Sequence, residues 1–178
     1  MKKILSILLM VGLTSFAAKV TGPRYRVEGA FSTVSLLLPS RDSFVKINID
    51  VSASASFLPE WKAQINRKFD ITFGPKIAAN LITKITGDGT EIFPNGTIGI
   101  ETDFNYLVKE DVKVYSSIEA GLGAGSNIVI KNNSTTPEFK PAIIVKLGLG
   151  AKIKDKYNIG VYAGYGKGLL GIEAGYTF

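Results

Sequence analysis

Alternation of apolar and polar residues with period two, repeated in segment after segment, is the feature that most constrains this chain. In the stretch 142–153, one parity reads Ile143, Val145, Leu147, Leu149, Ala151, Ile153, and the other Ala142, Ile144, Lys146, Gly148, Gly150, Lys152. Successive side chains of a strand point to opposite faces. Each such stretch therefore reads as a β-strand with one oily face and one face of charge and glycine. The pattern recurs in residues 44–57, 69–81, 97–108, 112–127, 157–166 and 169–178. A first, less regular segment covers 25–38, where Val34, Leu36 and Leu38 fall on the polar parity, so a bulge or register change is expected there. That makes eight strands, an all-β chain with both termini at the same end. The separators are 39–42, 59–68, 87–96, 109–111, 131–140, 154–156 and the pair Lys167-Gly168; several carry Gly, Pro, Asn or Asp, as turns require.

The first residues differ from this pattern. Lys2 and Lys3 precede an apolar run from Ile4 to Leu13, and the small residues Ser15 and Ala17 follow at cleavage spacing. The run is too short for a spanning helix, which needs about 20 residues, and has the parts of a secretory signal. The expected organisation is a signal peptide at 1–17 and one barrel domain at 18–178. Without the leader, the formal charge falls from +6 to 19 basic against 15 acidic residues. Those charges form no long run of one sign, so no nucleic-acid partner is expected.

Period two does not say which face points outward. Three features favour lipid. The oily parity is bulky in nearly every strand, while the interior of an eight-stranded barrel has room only for its own side chains. Glycine alternating with charge suits that interior. Tyr25, Phe57, Phe69, Tyr106, Tyr157, Tyr176 and Phe178 all fall at one end of the strands, as an interfacial aromatic girdle would. The last segment, GIEAGYTF, ends on an aromatic of the oily parity. The expected fold is a transmembrane antiparallel up-and-down β-barrel.

The ending with Tyr176 and Phe178, together with the leader and eight strands, resembles the small outer-membrane barrels of Gram-negative bacteria: the OmpA-like, OmpX-like and opacity-type families. The resemblance implies a bacterial outer-membrane location, outer-membrane lipid as surroundings, and Tyr176 and Phe178 as a signal read by the barrel-assembly machinery. It also bears on catalysis. Outer-membrane lipid A deacylases and palmitoyl transferases, phospholipases and omptin proteases share this architecture and use a histidine, and this chain has none. The spacing Gly166, Gly168, Gly171 lacks the strand–turn–helix setting of a dinucleotide fingerprint. No enzyme activity, cofactor or metal is expected.

The inward parity gathers Arg26, Lys46, Lys76, Lys113, Lys146 and Lys152 with Glu28, Asp50, Asp70, Glu101, Asp103, Glu119 and Glu173. Charges in so narrow a space need partners, so a salt-bridged, largely filled lumen is expected. A three-residue turn at 109–111 would set Glu101 opposite Glu119, with Lys146 as the cation between them. A two-residue turn at Lys167-Gly168 would set Tyr162 opposite Glu173. The reading is a non-enzymatic structural barrel whose loop from Lys131 to Lys140 is the best site for a surface ligand. The alternatives are a narrow porin-like channel for small solutes and a soluble periplasmic ligand-binding barrel.

Overall fold

The computed structural model describes residues 19–37, 46–48, 50–86, 89–131 and 134–178; the leader at 1–17 lies outside the described residues. The described chain is almost wholly strand: β1 (Lys19–Leu37), β2 (Lys46–Asn48), β3 (Asp50–Gln64), β4 (Phe69–Thr86), β5 (Gly89–Lys109), β6 (Val112–Lys131), β7 (Ser134–Ile153), β8 (Tyr157–Tyr165) and β9 (Leu170–Thr177). Segments β2 and β3 both pair with β1, β3 along Lys19 to Ser32 and β2 beyond it at Ser35 to Leu37, and make one stave of the wall. Each stave runs antiparallel to the next, and β9 pairs with β1 to close the ring. The barrel thus has eight staves. Closure removes the sheet edges that would otherwise leave backbone groups unpaired in lipid.

The irregular segment 25–38 does carry a register change, and β1 has a second one ahead of it. One falls between Ser32 and Val34 against β9, and another between Thr21 and Arg24 against β3. The lower end, which holds Lys19 and Phe178, has tight turns. At the β3–β4 turn the Asn66 side chain accepts the N–H groups of Lys68 and Phe69 at 2.8 and 2.9 Å, an Asx turn. Asp111, Lys154 and Asp155 take φ of 65°, 55° and 53° at the next two turns.

Three separators read from the sequence are shorter than expected. β3 runs on to Gln64, β5 begins at Gly89 and β7 at Ser134. Residues 59–64, 89–96 and 134–140 are therefore strand, not loop. Proline and polar residues misled the reading, because an antiparallel hairpin tolerates proline where its missing N–H faces no ladder bond. The pairing of β3 with β4 skips residues 58–60 and resumes in the same register at Trp61↔Phe73. As a result β4 to β7 rise as tall hairpins, whereas β8 and β9 span nine and eight residues. Above Val145, β7 pairs only with β6.

Polarity is inverted relative to a soluble protein. The buried residues among those described are overwhelmingly polar or charged, with Leu58, Ala78, Tyr115, Ala142, Ile144 and Tyr162 the only hydrophobic ones. Outward stand Phe31, Ile77, Ile98, Leu122, Leu147, Ile159 and Ile172, among many others. At the lower rim the rings touch: Tyr25 stacks on Phe57 at 5.8 Å and lies 6.0 Å from Phe178, which stacks on Tyr176 at 6.4 Å, and Tyr176 meets Tyr157 at 5.1 Å.

Candidate functional site

Among the described residues, charged side chains converge in the lumen, and the strand period puts them there. On β4 the inward positions run Asp70, Thr72, Gly74, Lys76; on β5 they include Glu101, Asp103 and Asn105. In register, Glu101 faces Glu119 across β5 and β6, and Glu119 faces Lys146 across β6 and β7. Like charges directly opposed are destabilising, and two lysines answer them. Lys146 Nζ lies 3.2 Å from Glu101, 3.0 Å from Glu119 and 2.5 Å from Glu173. Lys76 reaches Glu101 at 2.6 Å and Glu119 at 3.2 Å, and donates to Glu28 as well.

Arg26 is the second hub. It is 1% exposed and bonds Glu101 and, at 2.7 Å, Asp103, with Glu28 at 3.2 Å and Glu60 at 3.6 Å. Asp103 also accepts from Lys152 at 2.7 Å, and Glu60 pairs with Arg24. Lys167 closes the set at Glu119, 2.8 Å away. The six cations Arg24, Arg26, Lys76, Lys146, Lys152 and Lys167 thus share one connected network with the six carboxylates Glu28, Glu60, Glu101, Asp103, Glu119 and Glu173. Its formal charges cancel. A second network lies at the lower end. Lys113 bridges Asp70 at 2.7 Å and Asp155 at 2.6 Å, and Lys62 meets Asp155 at 2.8 Å and Asp70 at 3.7 Å. It too is balanced. Between the networks, Asn105 donates to Asp70 at 2.9 Å and Thr72 donates to Asp103 at 3.1 Å.

Of the residues singled out in the sequence, nine stand in the first network and Asp70 and Lys113 in the second. Asp50 is buried at the upper end, opposite Lys84 in register, and joins neither network among the described residues. Lys46 lies in β2, and its side chain falls outside the described residues. The Tyr162–Glu173 pairing is corrected. Tyr162 faces Gly171, and Glu173 faces Gly160. The β8–β9 turn is four residues, 166–169, because Gly166 and Gly168 take φ of 90° and 104° and fold it inward. Tyr162 then donates to the Lys167 carbonyl at 3.1 Å, and Tyr115 is the tyrosine that donates to Glu173, at 3.4 Å.

Five partners escaped the sequence reading: Arg24, Glu60, Lys62, Asp155 and Lys167. Carrying the parity of Ser52, Ser54 and Ser56 through Pro59 would have found Glu60 and Lys62, and the parity of Arg26 leads back to Arg24. Asp155 and Lys167 sit in turns, where periodicity has no say.

The proposed ligand loop, Lys131 to Lys140, is also corrected. Lys131 and residues 134–140 are strand, residues 132 and 133 lie outside the described residues, and Pro137, Glu138, Phe139 and Lys140 stand exposed on β7.

A closed ring of up-and-down strands, oily outside and ionic inside, defines a small eight-stranded β-barrel of the outer-membrane type. Solved structures of that type are similar to it. Ail, the attachment invasion locus protein of Yersinia pestis, is 14% identical over 89% of this chain and 100% of its own, with a TM-score of 0.49. Ail in complex with the heparin analogue sucrose octasulfate is 14% identical over 90% and 99%, at 0.45. The N-terminal β-barrel domain of Pseudomonas aeruginosa OprF is 12% identical over 89% and 100%, at 0.42. At these identities the likeness is one of fold alone. No family model matches the chain, and no curated protein matches it in sequence.

Proposed function

We propose that the chain is a non-enzymatic barrel of the bacterial outer membrane, sealed through its lumen, that meets its surroundings through the ends of its tall hairpins. The carrying observation is the electroneutral network of six cations and six carboxylates across the lumen, eleven of its twelve members buried. An ion crossing it would have to break charge-assisted bonds between buried partners. Catalysis finds little support here. The chain has no histidine, the usual general base, and every carboxylate of the network is held by a cation. The outward apolar face argues against the soluble alternative.

Two further roles follow from position. Phe178 N–H donates to the Tyr25 carbonyl at 2.9 Å and Tyr25 N–H to the Phe178 carbonyl at 3.1 Å, so Tyr176 and Phe178 lie on the closing seam. A position on that seam supports reading the two residues as an assembly signal. At the upper end, Glu138, Phe139 and Lys140 offer a surface partner a mixed charged and aromatic patch in place of the expected loop.

Cell fractionation and planar-bilayer recording test the central reading. The mature protein should require detergent for extraction, migrate as a heat-modifiable band, and stay electrically silent. A monodisperse protein in plain buffer, or steady conductance from the unaltered barrel, would overturn it.

A further inference from the structure

On one flank the outward face keeps its oily chemistry far above the level at which β8 ends. Outward positions from Phe69 to Ile85 on β4, Thr90 to Val108 on β5, Val114 to Ile130 on β6 and Pro137 to Ile153 on β7 carry no charge. On β8 the matching stretch runs only from Tyr157 to Tyr165. Ile153 faces Tyr157 and Val145 faces Tyr165, so the two stretches start level and β7 continues alone from Val145 to Phe139. At the top the two faces of the tall hairpins differ. The face that continues the lumen lining carries Lys84 opposite Glu91, and Glu138 paired with Lys140. The other face carries Ile85, Ile130 and Phe139, all exposed.

Register sets the heights. Followed from partner to partner once round the ring, the pairing climbs β6 from Val114 to Ala124, ten residues. With eight staves about 4.8 Å apart and about 3.3 Å per residue, that climb inclines the strands by about 40° and lifts each residue by about 2.5 Å. The β8 stretch is then about 20 Å tall, Ile153 to Phe139 about 35 Å, and Phe69 to Ile85 or Val114 to Ile130 about 40 Å. The apolar band of an outer-membrane barrel is about 25 Å tall. One flank fits that band, and the other overtops it by about 10–15 Å.

We propose that the outward face of β4 to β7 is seated in lipid along its whole height, and that acyl chains of the surrounding leaflet stand taller against this flank than against β8. The inference rests on the outer-membrane reading and gives the exposed Phe139 a lipid partner. Glu138 and Lys140, on the opposite face, are left to water. Continuity identifies the occupant. The uncharged parity runs without a charged step from Ile98 and Leu122, in the central band, up to Ile85 and Ile130. A hairpin wetted on both sides has no reason to keep its charges on one of them, and here all four stand on the lumen side. A hydrophobic stretch taller than the local hydrocarbon is accommodated by thickening the bilayer beside it.

The chain has no cysteine, so single cysteines can carry a fluorophore in the refolded full barrel, with heat-modifiable migration to show that each variant is folded. In phosphatidylcholine vesicles, probes at Ile85→Cys, Ile130→Cys and Phe139→Cys should be quenched by lipid brominated on its acyl chains, as at Ile98→Cys, and shielded from iodide. Glu138→Cys, next to Phe139 but on the other face, should show the reverse. Moving from dierucoyl to dimyristoleoyl phosphatidylcholine, whose chains are much shorter, should roughly halve tail quenching at Ile130→Cys and leave Ile98→Cys unchanged. Should one variant fail to fold, the other two tall-face probes carry the test. Iodide quenching at the tall-face probes, with tail quenching at Ile98→Cys, would sink the inference, because the face then stands in water. Protection from both quenchers would sink it as well, because a second copy then covers the face. Iodide quenching at Ile98→Cys itself would instead sink the outer-membrane reading on which the inference stands.

Discussion

Replacing Lys146 with methionine tests whether the lumen network holds the barrel together. Methionine fills nearly the same space and carries no charge, so the change is electrostatic. Lys146 is 1% exposed and serves three carboxylates, but these depend on it unequally. Glu101 keeps Arg26 and Lys76, and Glu119 keeps Lys76 and Lys167. Glu173 has no other cation among the described residues, and its one remaining donor is the Tyr115 hydroxyl at 3.4 Å. The loss therefore concentrates on one buried carboxylate. Removing one partner of a buried pair costs about 3–5 kcal/mol. For a domain of this size that lowers the melting temperature by something on the order of 10 °C. The assay is the temperature at which the compact gel form disappears in detergent, supported by urea unfolding in vesicles. Adding Glu173→Gln to Lys146→Met should recover much of the loss, because the stranded charge is gone. The reasoning is refuted if Lys146→Met melts like Lys140→Met, whose lysine is exposed, or if the second substitution deepens the defect.

Other expectations follow from single contacts. At the β7–β8 turn, burial works against the charge of Asp155, but Lys113 and Lys62 hold its carboxyl down at about 2, against 3.8 for the free group. Its folded value is thus below its unfolded one, so its contribution is complete above 3.8 and fades as pH falls toward 2. Asp155→Asn should flatten the pH dependence of the unfolding midpoint across that window; an unchanged slope would count against the pairing. In β7 the Ile143 carbonyl points toward β8, so by alternation Pro137 and Pro141 present their missing N–H groups to the unpaired upper edge. Replacing both with valine should restore those donors and produce cross-linkable oligomers, absent from the unaltered protein. A Cβ added to Gly74 would lie 1.9 Å from the Pro59 carbonyl oxygen, so Gly74→Ala should sharply reduce the yield of heat-modifiable barrel. Normal yield would show that β3 can move aside.

Fold and lumen were legible in the sequence to very different depths. The period fixes which side chains share a face, and closure into eight staves then sends one face inward. Register alone sets Glu101 opposite Glu119, and Lys146 on the next strand is then the expected cation; it shares that place with Lys76. Register depends on turn length, however, and turn length is where sequence signals are weakest. The Lys167-Gly168 pair looks like a two-residue hairpin. The actual four-residue turn shifts the β8–β9 pairing by two positions and moves Tyr162 from Glu173 to Gly171. Proline caused the opposite error. Pro59 suggested that a strand had ended, and so hid Glu60 and Lys62, both of which follow the parity of the serines before them.

The same chain meets two environments, and the worth of a charge differs between them. Glu138 and Lys140 form a pair at 3.2 Å on the β6–β7 hairpin, at side-chain exposures of 65% and 45%. Water screens such a pair, and removing it costs about 0–1 kcal/mol. The pair of Lys146 with Glu173 is 2.5 Å long, but its side chains are 1% and 3% exposed. Breaking it strands a charge that water cannot reach. Lumen residues are therefore bound to one another through mutual neutrality, and a change at one calls for a change at its partner. The exposed ends of the tall hairpins carry no such obligation. Charge substitutions there can alter what the surface contacts while leaving the lumen pairs intact, so melting temperature should separate the two regions in any scan of charged residues.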